Sequence, residues 1–262
     1  MMRKLFLSVV IVLVVLIIVA VIVVGFLLGT IVKTGMETVG PKITQVSIKV
    51  DAVNLSLLTG SARVKGLVVG NPEGYKTPQA ISVGSAAVGV NPFSVLSDKI
   101  VIRSVRVEAP EITFEGGLGG NNLSKIMDNM NAIAKNGGPA STNTTARAGN
   151  EPGRKIEVDD FLITGAMVHV SLTGVSGKEM TLPLPDIHFT NLGKGSAGIT
   201  VADLTRRVLG AITTATIKTV ANATADIGKS AGNVGKDIGK SLGTGTSNIT
   251  KGLGGLFKKS TN

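Results

Sequence analysis

From Leu5 to Val32 the chain reads LFLSVVIVLVVLIIVAVIVVGFLLGTIV, 28 residues without a charge. About 20 apolar helical residues cross a bilayer core. A cleaved signal peptide has a shorter apolar stretch and a small-x-small cleavage site, neither of which occurs here. The run therefore reads as an uncleaved signal-anchor transmembrane helix within residues 1–35. Arg3 and Lys4 precede it and Lys33 follows it. The basic leading flank predicts a cytoplasmic N-terminus, with the bulk of the chain on the other side. Gly25 and Gly29 form one GxxxG, a helix-pairing signal.

After the anchor the pattern changes to a period of two. Val46, Ile48 and Val50 alternate with polar neighbours, as do Val53, Leu55 and Leu57. Val64, then Leu67 and Val69, Ile81 and Val83, Val88 and Val90, Ile100 and Ile102, Val105 and Val107, and Ile112 and Phe114 continue it. Such spacing, rich in Val and Ile, predicts half-buried strands. Breakers at Thr59-Gly60, Asn71-Pro72-Glu73-Gly74, Asn91-Pro92 and Ala109-Pro110 divide them. Asn121 to Lys135 reads as a short helix whose Leu123, Ile126, Met127, Met130 and Ile133 fall on one face, suited to covering the sheet. Residues 136–155 are rich in Gly, Pro, Ser, Thr and Asn and read as a flexible linker. Strand signals return over 156–198. The expected fold is mainly β (α+β): a transmembrane helix, then a curved antiparallel sheet over 43–135 with its short helix, continued over 156–198.

LVVGNPEGY, AISVGSAAVGVNPFSVLSDKIVIRSVRVEAPEITFEGG and NNLSKIMDNM together resemble the amino-terminal part of AsmA-like proteins. The resembling elements are the anchor, the Asn-Pro-x-Gly-aromatic turn after a strand, a strand ending near a Val-Leu pair, the strand pair that ends in Pro-x-x-x-Phe, a Gly-rich turn and a helix starting at Asn-Leu. They cover roughly residues 1–190. The resemblance implies a protein of the bacterial inner membrane, single-pass, with most of its chain in the periplasm. It further implies a β-sheet trough for phospholipid or another acyl-chain lipid, and a part in lipid traffic or outer-membrane assembly. The inward apolar row would then supply lipid contacts, with Val46, Ile48, Ile100, Ile102 and Val105 as candidates. Some ten strands at about 4.8 Å each would make a sheet about 50 Å long.

The carboxyl-terminal part, residues 203–262, is a basic Gly-rich tail built of eleven-residue blocks. From Thr205 these are TRRVLGAITTA, TIKTVANATAD, IGKSAGNVGKD, IGKSLGTGTSN and ITKGLGGLFKK. Position three is Arg207, Lys218, Lys229, Lys240 and Lys251. Eleven residues make three turns of nearly straight α-helix, so positions one, five and eight lie within about 35° of one line and position three about 196° round from it. An apolar stripe including Ile227, Val234, Ile238 and Leu242 thus opposes a row of cations, as suits an anionic membrane surface. Nine glycines between Ile227 and Lys259 oppose an isolated helix by about 1 kcal/mol each. The segment is expected to order only against a bilayer, the sheet or another copy, the alternative being a flexible, soluble basic tail.

Ala223 to Ser230 (ATADIGKS) fits the looser form of a phosphate-loop pattern. A phosphate loop needs a strand feeding a Gly-rich turn into a helix, whereas ITTATIKTVANATAD before Gly228 is helical repeat. Gly-Lys-Ser recurs because the block recurs, and no nucleotide is expected. The chain carries a formal charge of +10, with no Cys, no Trp and a single tyrosine, Tyr75. The missing thiols exclude disulfides, thiolate metal sites and a lipoprotein anchor. Basic charge can signal nucleic acid, but the scarcity of Trp and Tyr and the outside location argue against it. His169 and His188 are the only histidines. His188 beside Asp186 could form half a metal site, but the period-two context reads both histidines as sheet residues. No enzymatic signature, cofactor or metal is expected. An alternative reading is a non-enzymatic membrane-anchored scaffold, binding envelope proteins or further copies through its sheet edge and tail. A peptide of residues 205–259 is expected to gain helical circular dichroism on anionic vesicles; a spectrum unchanged from buffer would contradict the membrane-surface reading.

Overall fold

A computed structural model describes residues 2–117, 120–135, 155–172, 180–195 and 197–228. Helix α1 (Met2–Thr44) continues nine residues past the expected anchor boundary at 35. Eleven strands follow among the described residues: β1 (Ile48–Lys49), β2 (Ala52–Ser56), β3 (Ser61–Gly70), β4 (Gln79–Val90), β5 (Lys99–Glu108), β6 (Glu111–Gly117), β7 (Gly120–Asn121), β8 (Lys155–Thr164), β9 (Met167–Leu172), β10 (Met180–Pro183) and β11 (Ile187–Leu192). A 3-10 turn, Pro92–Leu96, follows β4. Helices α2 (Asn122–Lys135) and α3 (Val201–Gly228) complete the fold. The last three blocks of the repeat tail, apart from Ile227 and Gly228 in the backbone of α3, lie outside the described residues.

The eleven strands make a sheet only about six strands wide, because most labelled pairs are halves of one bent strand. Lys99 lies opposite Lys155 and Glu111 opposite Met167, an offset of 56 residues in both halves. The ladder runs through the break: the Ala109 amide donates to Thr164 O (2.8 Å), and Met167 N to Pro110 O (3.0 Å). β10 and β11 join likewise, with Leu184 N donating to Ala166 O at 2.8 Å. At about 4.8 Å per strand the width is about 29 Å, about three-fifths of the length expected from counting strands in the sequence.

The breaks fall on one line. Continuing the registers from either side, Gly66 faces Gly84, Gly84 faces Ala109, Ala109 faces Gly165 and Gly165 faces Pro185. At this crease each strand carries one extra residue, as a β-bulge does. Inward side chains step by three there instead of two: Val64 to Leu67, Val83 to Ala86, Val107 to Pro110, Ile163 to Ala166 and Leu184 to Ile187. The same face thus stays turned to the core while the sheet bends. Gly66, Ala109 and Gly165 take left-handed φ values of 60°, 46° and 63°.

The sheet is mixed, not purely antiparallel as expected: β5 pairs with β8, and β6 with β9, in parallel. Parallel neighbours require a long crossover, usually helical, and the connection containing α2 supplies it. Leu123, Ile126, Met127 and Met130 of α2 are buried against the sheet. They join Ile112, Phe114, Val158, Val168 and Val170 in one core, where each fully buried side chain of this size contributes about 1.5–3 kcal/mol. α3 packs beside α2 and over β10 and β11.

α1 stands against the opposite edge. Its face at Gly25, Gly29, Lys33, Glu37 and Gly40 meets β2 and β1 in antiparallel order. A Cβ on Gly29 would lie 2.2 Å from Val53 O, and one on Gly25 2.9 Å from Leu55 O. Lys33 Nζ donates to Asp51 O (3.1 Å), and Val50 N to Glu37 Oε1 (2.9 Å). The GxxxG therefore admits a strand of the same chain. Among the described residues α1 is the one helix long and apolar enough to cross a membrane. Lys33, Glu37 and the strand groups bonded to them are costly at bilayer depth, so a crossing segment would have to lie upstream of them, in the charge-free run.

The Asn71–Tyr75 turn is held by a buried polar clamp. Glu115, 4% exposed, accepts from Lys76 N (2.8 Å), Thr77 N (2.8 Å) and Thr77 Oγ1 (2.7 Å). Asn122, fully buried, donates to Asn71 Oδ1 (2.7 Å) and Thr113 O (2.8 Å) and accepts from Glu115 N (3.0 Å). Burial alone pushes the Glu115 carboxyl up, but the Thr77 and Lys76 hydrogen bonds outweigh it and hold it below the usual glutamate range.

Two predictions follow from these contacts. Gly66→Ala places a Cβ at left-handed φ and 1.9 Å from Asp51 Oδ2, and is expected to lower unfolding free energy by about 2 kcal/mol or more. Gly84→Ala, with nothing within 4 Å, is expected to change it by about 0.5 kcal/mol or less; chemical unfolding of the full chain in detergent compares them. Glu115→Gln is expected to cost about 1.5–3 kcal/mol at neutral pH. Because the folded carboxyl is held low, its contribution is present above the ordinary glutamate range and lost as pH falls through the folded value. The gap between wild type and Glu115→Gln is therefore expected to close on acidification, and a constant gap would contradict the clamp.

Candidate functional site

The first two repeat blocks build the site. Thr200 and Asp203 start α3 with a reciprocal cap: Asp203 N donates to Thr200 Oγ1 (3.0 Å), and the Thr200 hydroxyl to Asp203 Oδ2 (2.8 Å). Block positions one, five and eight then turn toward the sheet, with Leu209, Ile212, Thr216 and Val220 all buried. The adjoining face, Arg207, Ala211, Thr214, Ala215, Lys218, Thr219 and Asn222, follows helical spacing and fronts β11 across a gap. Pro185, Phe189 and Leu192 form the facing wall.

The result is an open groove of about 620 Å³, within the range of pockets that hold small ligands. Between Arg207 and Lys218, α3 contributes Ala211, Ala215 and Thr214, and Phe189 and Leu192 supply the apolar part of the facing wall. Arg207 and Lys218 are one block apart, three helical turns or about 16 Å along the axis, and no carboxylate is among the lining residues. Thr214 Oγ1 is buried without a hydrogen-bond partner. Such an arrangement can hold an apolar chain and pair an anionic group at either cation.

The structure distributes the sequence-derived candidates as follows. Val46 and Val105 are buried in the core, and Ile100 and Ile102 are half-buried against it. Ile48 is half-buried, and its Cδ1 would lie 2.5 Å from a Cβ on Gly40 of α1. None of these five lines the groove, yet two cross-strand rows connect to it. Val105, Phe161 and Phe189 lie directly opposite one another across β5, β8 and β11, and so do Ile102, Val158 and Leu192. Phe161 and Phe189 stack edge to face, centroids 6.2 Å apart. Lys218 lines the groove and is exposed. Ile227 sits in the last turn of α3, with its side chain outside the described residues; Val234, Ile238, Leu242, Lys229, Lys240 and Lys251 lie outside them entirely.

The histidines stand on the polar face. His188 Nε2 is 2.6 Å from Asp160 Oδ1, and Arg106 pairs with the other carboxylate oxygen. Hydrogen bonds from Arg106 first and His188 second hold Asp160 below the ordinary carboxylate range. His169 Nδ1 meets Thr181 Oγ1 at 3.1 Å. Among the described residues no cluster of three His, Cys, Asp or Glu could hold a metal. Phe189, Leu192, Ala211 and Ala215 escaped the sequence reading as site residues. Alternation and the repeat place each on its element, but only the docking of α3 beside β11 brings them together.

A family model described as the AsmA family matches residues 1–178. No curated protein matches the chain. The matched part runs from α1 through β9 and contains the clamped Asn71–Tyr75 turn and most of the crease. The groove walls, from Pro185 to Asn222, follow it. With more than half its length matched, the chain belongs to the AsmA family.

Proposed function

We propose that this protein is held by α1 in a bacterial inner membrane, N-terminus in the cytoplasm and bulk in the periplasm. There it binds the acyl chain of a phospholipid or similar lipid and supports lipid traffic or outer-membrane assembly, without catalysing a reaction. The observation that carries this reading is the groove between α3 and β11, apolar along its middle and cationic at Arg207 and Lys218. The chain would lie over Phe189 and Leu192 and reach along their cross-strand rows toward Val105 and Ile102. A sheet about 29 Å wide suits holding one lipid rather than conducting many. The scaffold alternative draws less support from the sheet edge. β10–β11 is that edge, and Pro183 and Pro185 remove two of its backbone donors, a common guard against strand pairing.

A photo-crosslinking residue at Phe189 or Ala211, in full-length protein within its native membrane, is expected to yield lipid adducts by mass spectrometry. Ala215→Trp, which fills the groove, is expected to reduce them severalfold. The same probe at His169 on the polar face is expected to give none. Equal labelling at His169, or none at Phe189 and Ala211, would overturn the proposal.

A further inference from the structure

Outside α1, five large apolar side chains are exposed among the described residues: Leu57, Leu58, Phe93, Val95 and Val201. Four occupy one end of the sheet. Leu57 and Leu58 (77% exposed) form the turn between β2 and β3, and Phe93 (88% exposed) and Val95 belong to the 3-10 turn after β4. The turns adjoin: Val90 N donates to Gly60 O at 2.6 Å, and a Cβ on Gly60 would be 2.9 Å from Pro92 Cδ. No Asp, Glu, Lys or Arg occurs between residues 52 and 62 or between 77 and 97. Water-facing turns ordinarily carry charge, and at this end of the sheet the charges, Asp98, Lys99 and Lys155, belong instead to the starts of β5 and β8.

The contacts with α1 fix the depth of this end. Leu55 meets Gly25, Val53 meets Gly29 and Asp51 meets Lys33. Two strand residues advance about 6.6 Å and four helical residues about 6 Å, so the ladder stays in step. One further step sets Leu57 level with Val21, and the turn beyond it lies deeper still along α1. That level is inside the charge-free run, whose 28 residues extend about 42 Å as helix against a hydrocarbon core of about 30 Å. Eight residues, 25–32, exceed the core, and they are the ones on which β2 packs.

We propose that this sheet end is a second membrane contact. Leu57, Leu58, Phe93 and Val95 enter the leaflet from which α1 emerges, so the sheet stands on the bilayer rather than swinging above it. The proposal rests on α1 spanning the membrane. Its occupant is lipid because the patch continues the apolar surface of α1 at the same depth, and exposed apolar side chains at a bilayer interface insert by about 5–10 Å.

The chain has no cysteine, so single-cysteine variants of the full protein can carry one environment-sensitive fluorophore each. Leu58→Cys, Phe93→Cys, Leu16→Cys at mid-span and Glu73→Cys at the far end of the sheet are placed in phosphatidylcholine–phosphatidylglycerol vesicles containing doxyl-labelled lipid. Labels at positions 58 and 93 are expected to shift to the blue and be quenched as at position 16, while position 73 stays water-like. Water-like emission at 58 and 93 with quenching at 16 would overturn the second contact and leave the anchor standing. Blue-shifted but unquenched emission would assign the patch to a protein neighbour and also overturn it. Loss of quenching at 16 would remove the anchor reading and the proposal with it.

Discussion

One extra residue per strand, placed in register across five strands, sets the shape on which everything else depends. A single bulge bends one strand and leaves its neighbour to compensate. Here Gly66, Gly84, Ala109, Gly165 and Pro185 fall on one line, so the whole sheet turns together and the ladder is not interrupted. The rows on either side face each other unbroken: Val64, Ala86, Val107, Ile163 and Ile187 on one, Leu67, Val83, Pro110, Ala166 and Leu184 on the other. Because the alternation slips by one at the line, both rows point to the same core. α2 and α3 can then lie against a single concave apolar face.

The Asn-Pro-x-Gly-aromatic turn, which carries much of the family resemblance, has a structural job. Asn71, Glu115 and Asn122 satisfy one another and the surrounding backbone, and the turn is fixed against the start of α2. Buried polar groups are tolerated when each is paired, and here they tie three separate elements together. The family pattern therefore marks the frame, whereas the groove is assembled from residues that follow the matched region.

Much of this was legible in the sequence. The charge-free run, the alternating strands and the covering helix with Leu123, Ile126, Met127 and Met130 inward all follow from simple periodicities. In the two repeat blocks that α3 contains, Leu209, Ile212, Thr216 and Val220 at positions one, five and eight are buried, Thr205 and Ala223 at the same positions are half-buried, and Thr213 and Ile217 beside them are buried as well. The crease was written in the sequence too, as steps of three such as Val64 to Leu67 and Ile163 to Ala166. Such a step looks the same as the end of one strand and the start of another, and only pairing distinguishes them. That ambiguity made the expected sheet about ten strands long instead of six. Parallel pairing was invisible for a related reason: alternation reports which face a residue takes, not which neighbour it has. The Gly25-Gly29 face announced a close approach, but a strand of the same chain and a second helix ask the same thing of a glycine.

On the proposed anchoring, no loop separates the membrane-crossing run of α1 from the part that carries the sheet. The helix that begins in the charge-free run continues to Thr44 and carries β1 and β2 along its side. Position in the bilayer and orientation of the domain are therefore a single mechanical variable. Helices accommodate a thicker or thinner bilayer by tilting, and here any such tilt must carry the sheet with it. The membrane's thickness becomes, in effect, an angle at which the groove is presented.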